Sequence, residues 1–118
     1  MSPETPTRDP IPLKIAWFHI LLALADGPQH GYAIRAAVEE RTDGRVKLWP
    51  ATLYGAIRSL EEEELILETD GAVDPGDDDA RRRYYRLTPL GRTALLAEVD
   101  RLQALVATAL ASRALRGA

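Results

Sequence analysis

The sequence predicts a mainly α-helical fold with one small β-hairpin, and three observations carry that expectation. Residues 13 to 60 hold three helix-like segments, separated by Asp26-Gly27-Pro28 and by a stretch containing Gly44. Two short alternating segments follow, Leu65 to Thr69 and Arg83 to Leu87, with an acidic, glycine-containing loop between them. Thr88-Pro89 then opens a long segment in which Leu95, Val99, Leu102, Val106 and Ala109 are spaced 4, 3, 4, 3.

The chain has 118 residues, enough for one ordinary domain and too few for two with separate cores. With 46% hydrophobic and 28% charged residues, its composition is globular. It has no cysteine, which excludes disulfides, thiolate metal sites and thiol nucleophiles. The longest apolar run, residues 15 to 25, is broken by His19 and falls short of the ~20 residues that cross a bilayer. The first twelve residues are polar and punctuated by proline, unlike a secretory signal. A cytoplasmic protein without a membrane partner is expected.

Taken in order, residues 1–12 read as a flexible arm. The first helix spans Leu13 to Ala25 and has only Lys14 and His19 as polar residues. A helix apolar on nearly every side needs protein cover all round, which in so short a chain points to a second subunit. The second helix starts at or just after His30 and runs to about Arg41, with Ile34, Ala37, Val38 and Arg41 on one face and Gly44 just past its end. Pro50 opens the third, where its missing N–H is no loss. Leu53, Ile57 and Leu60 face the core, so Ala51, Gly55, Arg58 and Glu62 lie opposite, flanked by Thr52, Tyr54 and Ser59. In the second strand, alternation puts Arg83, Tyr85 and Leu87 on one side and Arg82, Tyr84 and Arg86 on the other; Leu87 marks the core side. Thr88 as N-cap and Pro89 at the first helical position start the last helix, which extends toward Arg116.

Three helices, a two-stranded wing and a final helix form the layout of a winged helix-turn-helix with a C-terminal dimerisation helix. The expected division is 1–12 arm, 13–88 winged helix-turn-helix, and 89–118 dimerisation helix. In such a layout the third helix reads double-stranded DNA. The net charge of -3 argues against that partner only on average. Residues 61–80 carry a net -10, while residues 1–60 carry +1 and residues 81–118 carry +6, so the bases are segregated from one acidic block.

The segments LLALADGPQHGYAI (21 to 34), PATLYGAIRSLEEEELI (50 to 66) and RRRYYRLTPLGRTAL (81 to 95) resemble the three signature blocks of PadR-like transcriptional regulators. The resemblance covers roughly residues 13 to 102. It implies a winged-helix DNA-binding repressor that dimerises through its C-terminal helix. In some members, phenolic acids or planar drugs cause release from DNA. It also implies that His30 caps the second helix. This chain departs from the pattern in four places. Trp49 stands where the family carries serine, Glu64 where it carries glycine, and Ser59 where a basic residue is common. The wing loop carries Asp70, Asp74, Asp77, Asp78 and Asp79, so its tip repels phosphate and is not expected to enter the minor groove.

The expected DNA-binding residues are Thr52, Tyr54 and Arg58 on the reading helix and Lys47, Arg82 and Arg86 around it. Arg58 is suited to guanine or to phosphate, and the spacing does not separate the two. Tyr54 is set against packing under the wing. Arg82 and Arg86 belong to a cluster with Arg81 and Arg83, which is set against simple neutralisation of the acidic loop. Lys47 and Arg45 precede the reading helix and suit backbone contact. Leu95, Val99, Leu102 and Val106 are the expected seam of a homodimer. A flat aromatic effector, if ligand control extends to this chain, is placed between the first helix and the partner's last helix. Trp17 is then one wall and Leu102 or Val106 of the partner subunit the other. The competing reading is that Trp17 and Phe18 both pack the dimer core.

No cofactor and no metal site are expected: His19 and His30 are eleven residues apart and match no ligand spacing. No nucleophile–base pair or hydrolase motif is present, so an enzyme is disfavoured. The other competing function is a winged-helix interaction module that has lost DNA binding, favoured by the acidic wing.

Overall fold

The apolar spacing of three short helices and one long one determines where the core lies. The structure is a computed structural model and describes residues 10–69 and 83–117. The chain runs α1 (Ile15–Ala23), β1 (Gln29–His30), α2 (Gly31–Arg41), α3 (Pro50–Glu62), β2 (Ile66–Thr69), β3 (Tyr84–Leu87), α4 (Pro89–Ala111) and α5 (Arg113–Arg116). Ile20, Leu21 and Leu24 from the first helical segment meet Ile34 and Val38 of α2 and Leu53, Ile57 and Leu60 of α3 in one buried cluster. Tyr85 of β3 and Leu95 of α4 close it from the other side.

Helix starts follow the expected chemistry. Ala33 N–H donates to His30 Nδ1 at 3.0 Å, and Gly91 N–H donates to Thr88 Oγ1 at 2.9 Å. Pro50 and Pro89 each sit in a first helical turn. Helix ends use left-handed residues. Glu64, at φ 62, follows α3; its N–H donates to Glu61 O and the N–H of Leu65 donates to Leu60 O. This is a Schellman closure, with buried Leu65 and Leu60 as its apolar pair. Asp43, at φ 53, does the same for α2 immediately before Gly44.

Three expectations are corrected. The wing is not a bare hairpin. Its sheet has three antiparallel strands in the order β1-β3-β2, with Gln29 opposite Tyr85, His30 opposite Tyr84, and Ile66 opposite Leu87. β1 is two residues long, too short to show alternation. The last helix does not run unbroken to Arg116: it ends at Ala111, and Ser112 caps the short α5. The first helix is shorter than Leu13 to Ala25 because Lys14 is its N-cap and Leu24 its C-cap.

Residues 1–9 of the expected arm lie outside the described residues, and Ile11 packs against the core. The acidic loop with Asp70, Asp74, Asp77, Asp78 and Asp79 also lies outside them, as do Arg81 and Arg82.

Candidate nucleic-acid interface

The amphipathic α3 has one buried side and one open side. Leu53, Ile57 and Leu60 are buried, so the helical repeat leaves Ala51, Thr52, Tyr54, Gly55 and Arg58 exposed. Arg58 forms no ion pair with any described residue. Tyr54 is 48% exposed. Its ring lies over the start of α2, where a Cβ added to Gly31 would stand 2.7 Å from the phenol oxygen. Glycine at position 31 is what lets the tyrosine lie there.

Bases flank the open side. Lys47, in the loop before α3, has its ammonium 3.8 Å from Glu39, with both side chains about half exposed. Such a pair contributes little in water and is readily exchanged for a phosphate. Arg86 on β3 is exposed, as alternation requires, while Tyr85 faces the core. Tyr84 turns its ring edge toward His30, with centroids 5.4 Å apart. Arg83 is 3.7 Å from Glu68 on the neighbouring strand. Arg82 is outside the described residues, so its place in the cluster is not described.

The wing is tied to both neighbouring helices at one point. Thr88 Oγ1 donates to Glu64 O at 2.6 Å and Thr88 N–H donates to Leu65 O at 3.1 Å. A Cβ on Gly91 would fall 1.9 Å from that same Leu65 carbonyl oxygen. Only glycine allows α4 to start so close to the end of α3.

The long α4 is covered only along its first half. Gly91, Ala94, Leu95 and Glu98 are buried, whereas Val106 is 55% and Leu110 58% exposed. The proposed seam is therefore corrected at its first member. Leu95 is committed to the chain's own core, and the open apolar surface starts at Val99 and Leu102. Phe18 lines a groove along this surface with Val99, Leu102, Val106 and Leu110. Trp17 is not among the groove-lining residues; it packs against the core with the Lys14 ammonium 5.2 Å from its ring centre.

Glu98 has no counterpart in the sequence reading. Its side chain is almost fully buried, yet it carries three hydrogen bonds. Leu13 N–H donates to Oε2 at 2.9 Å, and Arg101 donates to Oε1 at 2.5 Å and to Oε2 at 3.1 Å. The Arg101 bonds hold its carboxyl below the usual carboxylate range, helped by the Leu13 amide and opposed by burial. The only available signal was an acid three residues before an arginine on an otherwise apolar helix. His19 Nδ1 is buried and has no hydrogen-bond partner among the described residues; burial, followed by the nearby Arg41 charge, lowers its pKa. Among the described residues, no three His, Asp or Glu side chains converge as metal ligands, and no helix is long and apolar enough to cross a membrane.

The family model described as the transcriptional regulator PadR-like family matches residues 20–97. The chain belongs to the PadR-like family. This is a family of transcriptional regulators, not of enzymes. A transcriptional regulator of Mycobacterium tuberculosis is 33% identical over 87 residues, covering 74% of this chain and 75% of that protein. An uncharacterised protein of a Streptomyces fradiae transposon is 46% identical over 79 residues, covering 67% of this chain. The matched part is only 20% of the transposon protein's length. Among solved structures, Bacillus subtilis PadR in complex with operator DNA superimposes with a TM-score of 0.61 at 20% identity, over 73% of this chain and 47% of that one. At that identity the likeness is one of fold.

Proposed function

We propose that this PadR-like protein is a homodimeric, sequence-specific DNA-binding repressor whose α3 lies in the major groove. The observation that carries the reading is the open side of α3, where Thr52, Tyr54 and Arg58 stand clear of a core that fixes the opposite side. Thr52 and Tyr54 lie toward the end that enters a groove first, and Arg58 reaches a base edge one turn further on. Lys47, Arg86 and Arg82 take the phosphates on either side, fixing register without carrying sequence information. The fold match with a regulator bound to operator DNA supports the same use of this face.

The partner subunit is a second copy. The radius of gyration is 16.7 Å, against about 13–14 Å for a compact domain of this length. Val99, Leu102 and Val106 of this helix, together with α1, form an apolar surface that a symmetric copy covers. A flat aromatic effector belongs to this reading as the inducer, bound at the seam with Trp17 as one wall. It acts only by binding more tightly to a dimer whose reading helices are spaced differently.

Selection of duplexes from a random-sequence pool by the purified protein tests the reading. The expected product is an inverted repeat with half-sites one helical turn, about 34 Å, apart. Failure to enrich any sequence, with no salt-dependent binding, would favour the interaction module that has lost DNA binding.

A further inference from the structure

Trp49 ends the loop before α3 and is 60% exposed. Capping does not account for it, because its backbone is the N-cap of α3 but its side chain makes no capping bond. Core packing does not account for it either, since its neighbour Leu48 is the residue that enters the core. What holds the ring is Arg35 of α2, whose guanidinium carbon lies 5.5 Å from the ring centre. A cation over one face of an indole steadies it and leaves the other face free. Ala51 and Gly55 follow on the same exposed side of α3, and a Cβ added at Gly55 would meet nothing within 4 Å. A large apolar ring thus projects, pre-positioned, at the end of α3 that leads into the groove.

We propose that Trp49 is a sequence-determining residue: its indole, steadied by Arg35, packs on the C5 methyl group of a thymine in each half-site. The inference rests on the DNA-binding reading above. In the major groove the thymine methyl is the apolar feature that distinguishes one base pair from the other three. An indole has a single N–H donor and no acceptor, so it matches that methyl better than any hydrogen-bonding base edge. Arg35, still partly exposed, keeps its charge available to the phosphate beside that step.

Deoxyuridine differs from thymidine only by this methyl, which makes the test specific. Each thymine of the selected duplex is replaced by uracil in turn, and binding is titrated by fluorescence anisotropy. The wild type is expected to lose about fourfold affinity at one position per half-site, the effect of one buried methyl. Trp49→Ala is expected to bind the parent duplex more weakly and to be indifferent to that replacement, whereas Trp49→Phe, with its smaller ring, keeps a reduced sensitivity. Circular dichroism first checks that both variants fold as the wild type does. The proposal is overturned if no thymine is sensitive, or if Trp49→Ala remains as sensitive as the wild type. It is equally overturned if Trp49→Ala loses only salt dependence with unchanged base preference, since the ring would then be a phosphate contact. If Trp49→Ala binds too weakly to titrate, the decision rests on the uracil scan with Trp49→Phe. A changed effect at the sensitive thymine alone supports the proposal, and an unchanged one contradicts it. If the wild type selects no duplex and shows no salt-dependent binding, the DNA-binding reading itself has failed and the inference goes with it.

Discussion

The carboxylate of Glu98 on α4 accepts the backbone N–H of Leu13, just ahead of α1, at 2.9 Å. The bond spans 85 positions of sequence and is buried, so it ties the start of α1 to the middle of the helix that carries the proposed seam. Replacing Glu98 with alanine leaves the Leu13 amide without its partner, at a cost of about 1–3 kcal/mol. Chemical denaturation of wild type and variant measures it. A change within error would mean that water satisfies the amide equally well.

The same carboxylate makes stability depend on pH. Its folded pKa lies below the ordinary value, chiefly because of the Arg101 bonds. Its contribution is therefore complete above the usual carboxylate pKa, about 4.3, and is lost as pH falls through the lower folded value. His19 has the same sign at higher pH. Its folded pKa is lowered by burial, so its contribution is complete above about 6.5 and declines as pH drops below that. Thermal melts across this range should show a stepwise loss on acidification. Glu98→Gln should lack the lower step and His19→Leu the upper one.

Glu64 stands in the left-handed region at φ 62, where a side chain is strained and glycine is not. Glu64→Gly should raise stability by about 1 kcal/mol. Equilibrium unfolding measures this gain, and a loss would show that the Glu64 side chain contributes more than its backbone strain costs.

Much of this architecture was legible because its signals are local. Thr88-Pro89 is a cap made within three residues, and Leu53, Ile57 and Leu60 repeat within one helix, while the His30 cap followed from the family resemblance. What was not legible depends on partners distant in sequence. β1 exists only because Gln29 and His30 meet Tyr85 and Tyr84, and Glu98 is buried only because Leu13 comes to it. α3 was legible from its apolar repeat, but the exposed ring of Trp49 was not. Its position depends on Arg35, fourteen residues earlier on another helix. Likewise, helical geometry allowed only one of Trp17 and Phe18 to face a given groove; packing against α4 selects Phe18 for the groove along its own chain.

Arg58 and Arg86 should separate the two kinds of DNA contact. Arg58→Ala is expected to cost about 1–3 kcal/mol and to relax preference at one base pair. Arg86→Ala should weaken all sequences alike and reduce the log–log salt slope by about one unit. Parallel titrations on selected and scrambled duplexes distinguish them. Equal losses on both duplexes for Arg58→Ala would reassign it to phosphate.

The proposed homodimer has its own test. Aspartate at both Val99 and Leu102 places charge in the apolar surface shared by α1 and α4 and should give a monomer by sedimentation velocity. An unchanged dimer would move the interface elsewhere. In a Trp49→Phe background, quenching of Trp17 fluorescence by phenolic acids or planar dyes, accompanied by weaker DNA binding, is the expected signature of the effector. Quenching without a change in DNA affinity would separate that site from control.

In the proposed function α3 reads DNA as part of a dimer. Its most direct measurement is the affinity of the wild type for a selected inverted repeat and for a scrambled duplex, between about 50 and 200 mM salt. The predicted result is a preference for the repeat of about a thousandfold or more, with affinity for both falling steeply as salt rises. Equal affinity for the two duplexes, or an affinity indifferent to salt, would contradict it.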